Sequence, residues 1–116
     1  MKLSRLSGRK QCDELRAKGA NWKGRHLWVR WLPGSPRKQR DLPGVYVGTI
    51  ASAKLDKSAV RRNRMRRRCL EALRLALRER ANMRSVQLLL YPRSSSLTCD
   101  FAELRSDVHS FLSSLT

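Results

Sequence analysis

The stretch from Ala59 to about Ala81 limits this chain more than any other. Met65, Cys69, Ala72, Leu73 and Ala76 recur at the three- and four-residue spacing of one helix face. A strand would throw neighbouring members of that set onto opposite sides. The pattern predicts one long amphipathic helix, capped by Ser58, with Arg64, Arg67, Arg74 and Arg78 on its outer face. Such a stripe is stable only when buried against another element, so the rest of the chain must supply a partner surface.

That partner reads as a small sheet. In "RHLWVRWLP", Leu27, Val29 and Trp31 fall on one side of a strand, and His26, Trp28 and Arg30 on the other. "VYVGTIAS" is rich in β-branched and aromatic residues. "VQLLLY", residues 86–91, is nearly all apolar, as a central strand would be, and Pro92 stops it. Between the first two strands lies a loop rich in Pro, Arg and Gly, from Pro33 to Gly44.

Two shorter helices flank this set. "GRKQCDELRAKG" places Cys12 and Leu15 three apart, with Gly19 expected to end the helix in a left-handed conformation. Near the end, Phe101, Leu104, Val108, Leu112 and Leu115 form a stripe behind a cap at Thr98 or Asp100. The order read from the residues is helix, strand, strand, helix, strand, helix. That predicts one α+β domain over 1–116, a small mixed β-sheet packed against helices.

The start of the long helix poses a problem. In "AVRRNRMRRRCLEAL", Arg61, Arg62, Arg64, Arg66, Arg67 and Arg68 crowd the first turns. Unpaired N–H groups give a helix start partial positive charge, and each cation there costs about 0.3–1 kcal/mol at low salt. Only Glu71 is near, so the run lacks the alternating signs of a solvated face. Arg62 and Arg66 even lie on or beside the apolar side. The whole chain carries 26 Lys and Arg against 9 Asp and Glu, a net charge of +17. Such a chain repels itself, and a polyanion relieves the strain. Helix N-termini and guanidinium forks both bind phosphate, so the run predicts a nucleic-acid surface. Asn63 reads either as a local backbone partner or as a neutral group that orients a phosphate, a metal-bound water or a base.

Other chemistry finds little support. Cys12, Cys69 and Cys99 are odd in number and widely spaced, which fits a reducing cytoplasm. His26 and His109 have no Cys or carboxylate at ligand spacing along the chain, so no metal held by the protein alone is expected. Ser106, Asp107 and His109 share one helix turn and lack a nucleophile elbow, so no catalytic residue is expected. No apolar run suits a signal peptide or a membrane span, and the basic helix lacks the aromatic rim of a membrane-surface helix. A DNA-binding helix-turn-helix would need a short helix before Ala59, where a strand-like segment stands.

The segment "SAKLDKSAVRRNRMRRRCLEAL" resembles the bacterial ribonuclease P protein family, whose signature is Arg-Asn-Arg at the start of a basic helix after an Ala-Val pair. "SRLSGRKQ", "VYVGTIAS" and "FAELRSDVHSFL" follow in the family's order. The resemblance implies an α-β-β-β-α-β-α order with a left-handed βαβ crossover, as in ribosomal protein S5 domain 2-like folds. It implies a subunit that binds a catalytic RNA and precursor tRNA, with no obligate protein partner. The RNA, with Mg²⁺ bound mainly by it, would remove the 5′ leader. A small basic ribosomal protein, or another binder of structured RNA, is the alternative.

Carried over, Lys54, Arg61, Arg62, Asn63, Arg64, Arg66, Arg67 and Arg68 would face the catalytic RNA. Cys12, Arg16, Trp28 and Arg30 would line a cleft for the single-stranded leader. The family often has aromatic residues at the places of Cys12 and Arg16, leaving Trp28 as the one large ring expected on that face.

Overall fold

The computed structural model describes residues 3–6, 8–36, 44–80 and 83–115. Strand β1 spans Leu3–Arg5, helix α1 Arg9–Lys18, β2 Ala20–Lys23, β3 Leu27–Pro33 and β4 Val45–Thr49. Helix α2 spans Ala59–Arg78, β5 Val86–Pro92 and α3 Phe101–Ser114, with one turn of 3-10 helix at Ser94–Leu97. Most of the predicted Pro33–Gly44 loop, and the expected helix end at Ala81, lie outside the described residues.

The five strands make one mixed sheet in the order β1-β4-β5-β3-β2. β1 and β5 run parallel to β4, whereas β3 runs antiparallel to both β5 and β2. β5 is central, as its apolar run predicts. Its even residues and its odd residues serve different layers, because successive side chains point to opposite faces. Leu88 and Leu90 join the α2 and α3 side with Leu27, Val29, Val45 and Val47. Leu89 joins Leu6, Leu15 and Tyr46 on the α1 side.

Helix α2 buries Met65, Cys69, Ala72, Leu73, Ala76 and Leu77, so the predicted stripe is the buried one, extended by a residue. Helix α3 lays Leu104, Val108, Phe111 and Leu112 against it. Each large apolar side chain sealed there contributes about 1.5–3 kcal/mol. Trp22 in β2 meets Phe111 edge-to-face with ring centroids 5.6 Å apart, which places it in this core layer.

Three local expectations change. Gly19 does end α1, but with φ −69° and ψ 151° it is extended rather than left-handed. Glycine is needed there for room: a Cβ would stand 2.4 Å from the Leu15 carbonyl oxygen and 2.8 Å from Arg30 Cγ. His26 does not share the outer face of β3. It sits just before the strand and is buried, its N–H donating to Asp107 Oδ2 at 2.7 Å. β1 and β2 are strands that no pattern in the residues announces.

Candidate nucleic-acid interface

Helix α2 begins on a built cap. Ser58 Oγ accepts the Arg61 N–H at 3.3 Å, and Asp56 Oδ1 accepts the Ser58 N–H at 2.8 Å. The six arginines that follow divide by what they touch. Arg68 donates to the carbonyls of Ser96, at 2.6 Å, and of Cys99, so it ties α2 to the 3-10 turn. Arg66 donates to the Ala51 carbonyl at 2.9 Å and to Asn63 Oδ1 at 2.8 Å. Arg61 lies 3.8 Å from Asp56. Arg62 is half-buried, with its Nε enclosed and without a hydrogen-bond partner among the described residues.

Arg64 and Arg67 are exposed and have no ion pair or hydrogen bond among the described residues. Lys54, on the loop before the helix, is exposed too. The crowding at the helix start thus has two physical explanations. Arg66 and Arg68 brace neighbouring backbone, and Asn63 orients Arg66. Arg64, Arg67 and Lys54 leave their charge available to an anion.

The four residues expected in a leader cleft do not share one wall. Cys12 and Arg16 line a cleft of about 970 Å³ that runs past the β1 edge to Arg67, Leu70 and Arg74 of α2. Arg16, Trp28 and Arg30 line a second groove with Asn21, Lys23 and Tyr91. Arg16 stands on both and joins them. Arg30 folds back, its Nη1 donating to the Arg16 carbonyl and its Nε to Asn21 Oδ1 at 2.9 Å. That carbonyl lies in the last turn of α1, where a cation suits the helix dipole.

Trp28 is 40% exposed. Lys23 Nζ lies 4.8 Å and Arg93 Cζ 5.1 Å from its ring centroid. Its cross-strand neighbour on β5 is Tyr91. The face therefore carries a second ring, contrary to the expectation of one. Tyr91 is hidden in "VQLLLY", which reads as uniformly buried, although alternation puts it beside Leu89 and Gln87 rather than in the main core. Two rings framed by Lys23, Arg30 and Arg93 form the kind of surface that stacks bases and neutralises phosphate.

The family's sequence model, described as Ribonuclease P, matches residues 1–116. The chain belongs to the ribonuclease P protein family. It is 35% identical over 107 residues to the ribonuclease P protein component of a Thermus thermophilus strain, covering 92% of this chain and 56% of the relative. The corresponding protein of Thermus oshimai is 35% identical over 106 residues, covering 91% and 60%. The chain thus spans a little over half the length of the curated relatives it matches. Among solved structures, the RNase P protein of Thermotoga maritima superposes with a TM-score of 0.77 at 17% identity, covering 97% of this chain and 98% of that one. That of Staphylococcus aureus gives 0.74 at 16% identity, covering 99% and 97%. These two likenesses concern the fold. Among the described residues, no helix is long and apolar enough to cross a membrane.

Proposed function

We propose that this chain is the protein subunit of ribonuclease P, the endoribonuclease that trims the 5′ leader from precursor tRNA. The observation that carries the reading is the family match over residues 1–116, joined to an exposed basic face on α2. In this reading Lys54, Arg64 and Arg67 contact phosphates of the catalytic RNA. Asn63 and Arg66 act as a pair that holds that face in shape, and Arg68 braces it from behind. Trp28 and Tyr91 stack bases of the single-stranded leader, while Arg16 and Arg30 follow its backbone.

The RNA performs the hydrolysis, with Mg²⁺ held mainly by the RNA. The protein contributes positive charge where two polyanions meet, which lowers the Mg²⁺ concentration needed to bring them together. The site of action is the cytoplasm. In this reading the two surfaces meet through the α1 cleft, which Arg67 lines from α2 and Arg16 from α1.

Reconstitution tests this. The protein is added to a bacterial ribonuclease P RNA at low Mg²⁺, and cleavage of precursor tRNA at the mature 5′ end is measured. Stimulation that falls steeply with salt is expected: about six phosphate contacts give a log–log slope of several units. No stimulation across the Mg²⁺ range, with tight binding to ribosomal RNA instead, would overturn the reading in favour of a ribosomal role.

A further inference from the structure

The fold brings His26 to Cys99 and Glu103, a neighbouring pair that lies far along the chain from it. His26 precedes β3, Cys99 follows the 3-10 turn, and Glu103 lies in the first turn of α3. One ligand atom from each, His26 Nε2, Cys99 Sγ and a Glu103 carboxylate oxygen, falls within 4.8 Å of the others. We propose that these three residues form a site for a divalent metal of the zinc class, fastening α3 and the 3-10 turn to the start of β3.

The first support is the histidine. His26 is 8% exposed, and its Nε2 is enclosed with no hydrogen-bond partner among the described residues. Glu103 Oε2 lies 3.8 Å from Nε2, too far for a hydrogen bond. An imidazole nitrogen and a carboxylate oxygen, each about 2.0–2.2 Å from one ion, stand roughly 3.3–3.6 Å apart in a tetrahedron, so a shared cation needs only a small closing of this gap. His26 Nδ1 lies 2.9 Å from Ser95 Oγ. With Nδ1–H donating to that hydroxyl, the lone pair on Nε2 faces Cys99 and Glu103. A second partner that fixes the tautomer in this way is the usual companion of a metal-binding histidine.

The second support is charge. In a chain of net +17, Asp100, Glu103 and Asp107 gather in this one corner. They offset the charge of Arg68, whose guanidinium donates to the Cys99 carbonyl. Burial pushes the Cys99 thiol up and the three carboxylates add to it, so an ion must displace a proton to bind. Arg25, 3.5 Å from Glu103, is an exposed competitor for the same carboxylate. Thiolate, imidazole and carboxylate together select zinc or cobalt over Mg²⁺. Three protein ligands leave a fourth position for water. The site departs from the expectation of no metal on the protein alone, and it does not depend on the RNA-binding reading.

The test uses the full chain, stripped of metal by a chelator and titrated with Co²⁺, then with Zn²⁺ as competitor. One ion per chain is expected, with a thiolate-to-cobalt charge-transfer band. Cys99→Ser should abolish that band and weaken Zn²⁺ at least about tenfold; Glu103→Gln should weaken Zn²⁺ and Co²⁺ by a similar factor while the band survives at saturation, and Cys12→Ser should change neither. Far-UV circular dichroism checks that each variant folds. Glu103 is half-exposed, so Glu103→Gln keeps the test open if Cys99→Ser does not fold. Absence of saturable Co²⁺ binding, a band that survives in Cys99→Ser, or an affinity unchanged in Glu103→Gln overturns the proposal.

Discussion

On the side of the sheet facing α2 and α3, sixteen buried residues form one continuous cluster, whereas on the side facing α1 only four of the described residues do so. The first side is sealed by two helices whose apolar stripes meet each other. The second is roofed by one short helix, so Trp28, Arg30 and Tyr91 lie toward the groove beside it. A sheet needs one well-packed face to be stable; its other face is then available for work. The basic half of α2 follows the same division, because its apolar seam serves the sealed side while Arg64 and Arg67 point away.

The sharpest way to break this comparison is to damage the sealed face. Phe111 is 1% exposed and holds the Trp22 edge contact. Phe111→Ala should lower stability by about 3–5 kcal/mol, read by denaturant unfolding of the isolated protein. On the other face, Leu15 is fully buried in a cluster small enough to collapse around a gap. Leu15→Ala should cost less, about 2–3 kcal/mol, in the same experiment. Equal losses would mean that α1 is as integral to the core as α3.

The sealed face also predicts a pH response. Burial in this cluster pushes the Cys69 thiol from 9.0 up to about 12. The folded chain therefore keeps a proton that the unfolded chain releases. Stability from this group is complete below pH 9 and is lost as pH rises toward 12. Unfolding curves on either side of pH 9 should show the fall, and Cys69→Ala should flatten it.

How much of this is legible in the residues depends on whether the information is local. The α2 stripe, the Ser58 cap and the central place of β5 follow from spacing and composition over a few turns. β1, "LSR", and β2, "ANWK", carry no such signal. They are strands because β4 and β3 offer them ladders, a non-local cause. Spacing puts Arg62 and Arg66 near the apolar seam, but which carbonyls Arg66 and Arg68 find depends on where the Ala51 loop and the 3-10 turn come to rest. The His26, Cys99 and Glu103 cluster is hidden for the same reason. Tyr91 is different: strict alternation along β5 would expose it, were the run not so uniformly apolar.

The open face sharpens the comparison in the opposite sense. Trp28→Ala and Tyr91→Ala should each weaken binding of a single-stranded leader by roughly 1–3 kcal/mol, the usual worth of one stacked base. Trp28→Ala, at a ring already 40% exposed, should leave unfolding nearly unchanged. Affinity is measured with precursor tRNAs that carry or lack the leader. A loss that persists without the leader would place these rings against the catalytic RNA instead.

The smallest effect comes from a single exposed cation, and it separates bracing from binding on one helix. Arg64→Ala removes a side chain with no partner among the described residues, so stability should stay within about 0.5 kcal/mol. Arg68→Ala removes two hydrogen bonds from a guanidinium to backbone carbonyls, and bonds to charged groups contribute about 1.5–3 kcal/mol each at most. It should therefore lower stability where Arg64→Ala does not. In RNA binding the ranking reverses in kind. Losing one phosphate contact at Arg64 should reduce the log–log salt slope by about 0.7–0.9, because one fewer counterion is released. Arg68, already committed to Ser96 and Cys99, should leave the slope unchanged in whatever fraction stays folded. Identical slopes for Arg64→Ala and the unaltered chain would mean that the exposed guanidinium meets solvent, and that the charge at the helix start acts only at long range.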